Sequence, residues 1–160
     1  MSTTAVYFLI AFLSFLPISE LRGAIPFAIA NDVPWYAAYF MSVLINAMVA
    51  PACWIFLSTL HKLFLKMAWY GRFFERFIDR ARNKLHDKVE RWGWLGIAVF
   101  VAIPLPITGA WTGTLGAWVL GLSKRRTMIA VILGVLAAGI AVTTVVLLGI
   151  TALNIFIKKV

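Results

Sequence analysis

Four long apolar stretches, at about residues 5–30, 35–60, 94–122 and 127–157, leave this chain one solvent to fold in. A bilayer crossing takes about 20 predominantly apolar residues, and each stretch reaches that length. Only 13% of the residues are charged and 62% are hydrophobic. Soluble domains carry about 25% charged and about 45–50% apolar residues, so the polar side chains here are too few to coat a water-facing surface. The expected fold is an all-α integral membrane protein, with residues 1–160 forming a single transmembrane domain.

The formal net charge of +9 raises the question of nucleic acid, and its placement answers it. Nine of the fifteen Lys and Arg residues lie between Lys62 and Arg91, and Lys124-Arg125-Arg126 adds three more. Basic clusters between apolar stretches are how cytoplasmic loops beside anionic lipid are built. No base-reading motif accompanies them, so no nucleic-acid partner is expected. Within residues 61–93, Phe74, Phe77, Ile78, Ala81, Leu85, Val89 and Trp92 recur at helical spacing. Arg72, Arg76, Arg80, Lys84 and Lys88 repeat every fourth residue on another face. This pattern predicts a basic amphipathic helix on the membrane surface, with protein docking as the competing role. Cys53 is the only cysteine, which excludes an internal disulfide. The start Met-Ser-Thr-Thr has no basic residue, so a removable signal peptide is not expected.

Two of the four stretches are broken and two are not. Pro17 interrupts the first, followed by Ser19, Glu20, Arg22, Gly23 and Pro26, and Asn31-Asp32-Val33-Pro34 reads as a turn. The second begins with Trp35, Tyr36 and Tyr39 like an interfacial aromatic belt, and Pro51 is placed to kink it. Pro104-Leu105-Pro106-Ile107-Thr108-Gly109 breaks the third, with Gly113, Gly116 and Gly121 beyond. The fourth has no proline or charge after its basic start, and Gly134, Ala138 and Gly139 offer small surfaces for close helix approach. The order is a duplication: residues 1–60 form one repeat, 61–93 a basic linker, and 94–160 a second repeat. Two topologies compete. Each broken segment either crosses fully, or dips in and returns as a re-entrant helical hairpin. The re-entrant form gives two inverted repeats and places both basic clusters in the cytoplasm. It is favoured because the prolines and polar groups fall mid-segment, as they do where broken helices build a midplane site.

Glu20 and Arg22 are charges inside an otherwise apolar stretch, where a lone ion costs several kcal/mol. Residues two apart do not face each other on a helix. The two therefore either pair across broken backbone or find partners elsewhere. A binding reading has Arg22 hold an anionic group while Glu20 takes up or releases a proton, since burial and a nearby Arg act on a carboxylate in opposite senses. The competing reading is an ion pair that only pins the segment. Ser19 and Gly23 flank them. In the second broken segment Pro106, Thr108, Gly109, Thr112 and Gly113 join the candidate substrate site, because prolines free carbonyls and a half-helix start attracts anions. The competing role there is a kinked small-residue interface. Asn46, mid-helix, is expected to hydrogen-bond a re-entrant backbone or to touch substrate.

His61 and His86 lack metal-ligand spacing, so no metal is expected. No Ser-His-Asp set, nucleotide loop or paired catalytic carboxylates appears. An enzyme and a cofactor are therefore not expected.

The stretches PISELRGAIP (Pro17 to Pro26) and AIPLPITGAWTGTLGAW (Ala102 to Trp118) resemble the small multidrug export protein family, itself similar at a distance to the DedA/VTT membrane proteins. The first resemblance implies export of small toxic compounds. The second implies paired re-entrant segments and handling of lipids such as polyprenyl-phosphate carriers. DedA-like sequences place acidic residues in the first re-entrant segment, as Glu20 is, and an arginine in the second. Here Arg22 is in the first instead. The leading expectation is a transporter of an amphipathic anionic lipid in a prokaryotic cell membrane, with loop 61–93 cytoplasmic and Glu20 as a proton-linked switch. A second copy of the chain is a candidate partner, as one copy has little bulk to shield a polar site. The alternatives are a cation exporter working by proton antiport, and a structural protein that recruits partners through its basic helix.

Overall fold

The computed structural model describes residues 2–59, 92–105 and 108–157, with side chains up to residue 152. The basic linker lies outside the described residues except for its end at Trp92 and Gly93, as does Pro106.

Among the described residues the chain is helical and holds no strand. Helix α1, Thr3–Phe15, starts on a Ser2 cap whose side chain accepts from Ala5 N–H. It stops at Leu16, which is extended because the following Pro17 disfavours a helical residue before it. Helix α2, Glu20–Ala30, begins on a left-handed residue, Glu20 at φ +48°. Pro26 does not end α2, although it cannot donate to the Arg22 carbonyl one turn back. The expected turn follows: Asn31 Nδ2 donates to Phe27 O at 2.9 Å, and Asp32 takes φ +61°.

Helices α3, Trp35–Ala47, and α4, Val49–Thr59, form one apolar run of 25 residues. The break at Met48 stands directly before the turn that contains Pro51, whose ring excludes the carbonyl of Ala47 from the helical ladder. After the linker come α5, Trp94–Ala102, and α6, Ala110–Val119, separated by the irregular residues 103–109. Gly121, at φ +71°, closes α6 with Leu122 N–H bonded to Ala117 O at 2.9 Å. Helix α7, Lys124–Ile157, is 34 residues long. Its three exposed cations sit at the N-terminal end, where the helix dipole opposes them. Their placement fits the membrane surface rather than helix capping. The spans Trp35–Thr59 and Lys124–Ala152 are long and apolar enough to cross a bilayer.

Helices α1, α2 and α3 pack on one another, and so do α5, α6 and α7. Helix α7 also packs against α2, α3 and α4, and α4 against α6, so the two sets share one core built on Ile25, Val49, Ile97, Phe100 and Val135. The small residues of α7 act as expected. A Cβ on Gly134 would stand 2.6 Å from Val101 Cβ, and one on Gly139 would stand 2.7 Å from Val43 Cγ2. Phe8, Phe40, Leu44, Val145 and Leu148 point outward, a surface that suits lipid and not water.

Candidate functional site

Each broken stretch leaves helix ends within an apolar segment, and an orphaned backbone group in hydrocarbon costs several kcal/mol. The site is built from side chains that answer those groups. At the end of α1, Asn46 Nδ2 donates to Ser14 O at 2.8 Å, and Trp111 Nε1 donates to Phe15 O at 2.8 Å. The Phe15 and Trp111 rings meet edge to face at 5.4 Å. In the second break, the Thr108 hydroxyl lies 2.6 Å from Ile103 O and 2.7 Å from Leu105 O, and accepts from Leu105 N–H at 3.1 Å.

Glu20 and Arg22 join the two breaks. The Arg22 guanidinium donates through Nη1 to Leu105 O and through Nη2 to Thr108 O. Arg22 thus belongs to the first segment by sequence and serves the second by contact. The Glu20 carboxylate faces the N-terminal N–H groups of α6, with Trp111 N–H at 3.4 Å from Oε1 and Ala110 N–H beside it. A helix start is where a carboxylate is electrostatically favoured. Glu20 and Arg22 also pair directly, with Oε2 and Nη2 3.6 Å apart. Both outcomes open in the sequence are realised together, with Glu20 held in a left-handed backbone conformation. A non-glycine residue held there stores about 1–3 kcal/mol, which the surrounding contacts must offset. Gly109 is part of the same fit, since a Cβ there would collide with the Glu20 carboxylate.

Between these groups lies a small cavity lined by Glu20, Arg22, Asn46, Thr108, Pro104 and apolar side chains of α5 and α7. It brings together residues from both halves of the chain. Other candidates fall elsewhere. Ser19 covers Gly23, whose missing Cβ makes room for the Ser19 hydroxyl. Gly113 packs against Val101 as a helix contact, and Thr112 is buried in α6 away from the cavity lining. Trp111 and Ser14 were not among the candidates. Trp111 lies within the motif at 102–118 but reads there as one more apolar aromatic, and its bond to Phe15 O spans 96 residues of chain. Among the described residues, no group of three or more His, Cys, Asp or Glu could hold a metal.

The family described as "Putative small multi-drug export protein" matches residues 20–141. The chain belongs to that family. The match begins at Glu20 and takes in both breaks, so the family's region contains the whole Glu20–Arg22 arrangement. Among curated proteins and solved structures no match is found. Membership of an export family, together with two helices able to cross a bilayer, makes this a membrane protein of the transporter kind.

Proposed function

We propose that this member of the small multi-drug export family moves a small amphipathic compound across a prokaryotic cell membrane, with the Glu20–Arg22 pair as the lock between its two halves. The observation that carries this is the reach of both charges from the first break to the second. Arg22 holds carbonyls of residues 105 and 108, and Glu20 holds the start of α6. Protonating Glu20 removes the counter-charge that Arg22 and the α6 N-terminus share. The lock then loosens at both points and the halves can part.

The cargo that best suits the geometry is a lipophilic cation. Arg22 is committed to two carbonyls, whereas the Glu20 carboxylate has longer contacts, at 3.4 and 3.6 Å. Glu20 is therefore the partner with capacity to spare, available to a cation or a proton in turn. One observation favours the second reading, an anionic lipid such as a polyprenyl phosphate. The Arg22 side chain keeps 24% of its surface exposed, so an anion can approach it from outside. Neither reading needs bond chemistry or a cofactor.

The architecture is proposed to be two inverted repeats with re-entrant hairpins, and loop 61–93 in the cytoplasm. At 1.5 Å per residue, α1 and α2 are roughly 20 and 17 Å long and α5 and α6 roughly 14 and 15 Å, each short of the roughly 30 Å hydrocarbon core. The packing of α1 on α2 supports a hairpin over a straight crossing. A homodimer would enclose the polar centre.

Proteoliposomes with an imposed proton gradient test the reading. Efflux of ethidium that is driven by the gradient and lost in Glu20→Gln is expected. If instead the protein speeds leaflet exchange of a fluorescent polyprenyl phosphate and leaves ethidium in place, the lipid reading replaces the cation one. A folded protein that moves neither rules out the transport proposal.

A further inference from the structure

Asn46 is fully buried, and its amide is oriented by chemistry: Ser14 O can only accept, so Nδ2 must face it. That fixes Oδ1 on the other side, where it meets no donor among the described residues. Asn46 lines the small cavity described above, together with Glu20 and Arg22. The cavity's volume, counted over the positions a water centre can take, is about 10 Å³. This is about what a single water needs, and far below the room for a phosphate or a drug.

We infer that this cavity is a binding site for one water molecule that links Asn46 Oδ1 to the Glu20–Arg22 pair. The surrounding groups match water's own inventory. It donates one hydrogen to Asn46 Oδ1 and the other to the Glu20 carboxylate, and it accepts from an Arg22 N–H. A monovalent cation fits less well. Its side-chain ligands would be one carboxylate, one amide oxygen and the Thr108 hydroxyl, which is already bonded to Ile103 and Leu105, and a guanidinium would be its neighbour. The water makes Asn46 a positioning residue for Glu20, acting on the carboxylate through the bridge. The site deepens the proposed transport function and rests on it only for its consequence, because binding of the water itself does not depend on what is transported.

The test uses the full chain in lipid bilayers, with labelled Asn and Glu side chains and magnetisation transferred from water in the solid-state NMR spectrum. Asn46 is fully buried, so without a bound water its side-chain amide should receive no magnetisation from water. The expected result is transfer to the Asn46 amide and the Glu20 carboxyl at the rate of exposed side chains. Asn46→Leu removes the amide oxygen that holds the water and sets a methyl in its place, and should abolish the transfer at Glu20. Asn46→Ser leaves space for water and should retain it. Export should fall about tenfold in Asn46→Leu, as for the loss of one charge-assisted hydrogen bond, and fall less in Asn46→Ser. A dry Asn46 amide in the folded wild-type protein overturns the site, whatever the transport assay shows. Transfer at Asn46 combined with export indifferent to Glu20→Gln keeps the water and sinks the proposed function instead.

Discussion

Glu20 occupies the space where any residue other than glycine at position 109 would carry its Cβ. The fit is between a side chain and a backbone 89 positions apart, so it can be tested as a pair. Gly109→Ala should destabilise the protein by about 1–3 kcal/mol, the usual cost of overpacking. Glu20→Ala removes the obstacle, so adding Gly109→Ala to it should cost almost nothing more. Thermal unfolding of the two single variants and the double variant in detergent measures the coupling. Additive losses would mean that the carboxylate does not sit over Gly109. The same pair marks the limit of what the sequence made legible. Glu20 and Arg22 stand out because charge inside an apolar stretch needs a reason. Their partners do not stand out, because those partners are main-chain groups near residues 105–111, and every residue has such groups. Thr108, Gly109 and Asn46 could be suspected from residue type. Trp111 could not, since an indole in an apolar motif looks like packing until the Phe15 carbonyl is placed beside it.

At the scale of helices, the close seams are made by α7, and its glycines are not equivalent. A Cβ on Gly134 would stand 2.8 Å from the Ala98 carbonyl oxygen, backbone that cannot swing away, and 2.6 Å from Val101 Cβ. A Cβ on Gly149 would meet nothing within 4 Å among the described residues. Gly134→Ala should therefore push α5 off α7 at a cost of about 1–3 kcal/mol. Gly149→Ala should hold stability or raise it by up to about 1 kcal/mol through helix propensity. Denaturation of the two variants side by side decides it, and equal behaviour would mean that α5 and α7 do not meet so closely. These seams were readable in advance, because small residues one turn apart in an apolar helix have few other uses. The breaks at Pro17 and Pro104 were readable for the same reason, that proline withholds a donor. Pro26 shows where that logic fails. It sits past the middle of α2, loses one intrahelical bond to the Arg22 carbonyl, and the helix continues, packed against α1, α3 and α7.

For the whole molecule the open choice is which side of the membrane Ser123 and the basic start of α7 occupy. The linker and the Lys124-Arg125-Arg126 cluster lie on the same side if 94–122 returns where it entered, and on opposite sides if it crosses. Counting Lys and Arg hardly separates the two, because the three cations at 124–126 and the two at 158–159 always fall on opposite sides and simply trade places. Geometry separates them better. Helices α5 and α6 are each about half a bilayer long, and the Arg22 guanidinium binds the irregular residues between them, so that bend is tied to the first half. A fully crossing segment would put the same bend mid-membrane too, but would carry α6 onward to the far surface. Cysteine labelling tells them apart, and the chain's one native thiol, Cys53, is buried and can be replaced by Ala without adding a reactive site. In that background Asp32→Cys, at the turn before α3, should react with a membrane-impermeant maleimide added to intact cells. Ser123→Cys should stay unlabelled until the cells are opened. Labelling of Ser123→Cys from outside would instead mean that the second broken segment spans the membrane. The two halves would then run parallel rather than inverted, and the Glu20–Arg22 lock would join two crossing segments rather than the tips of two hairpins.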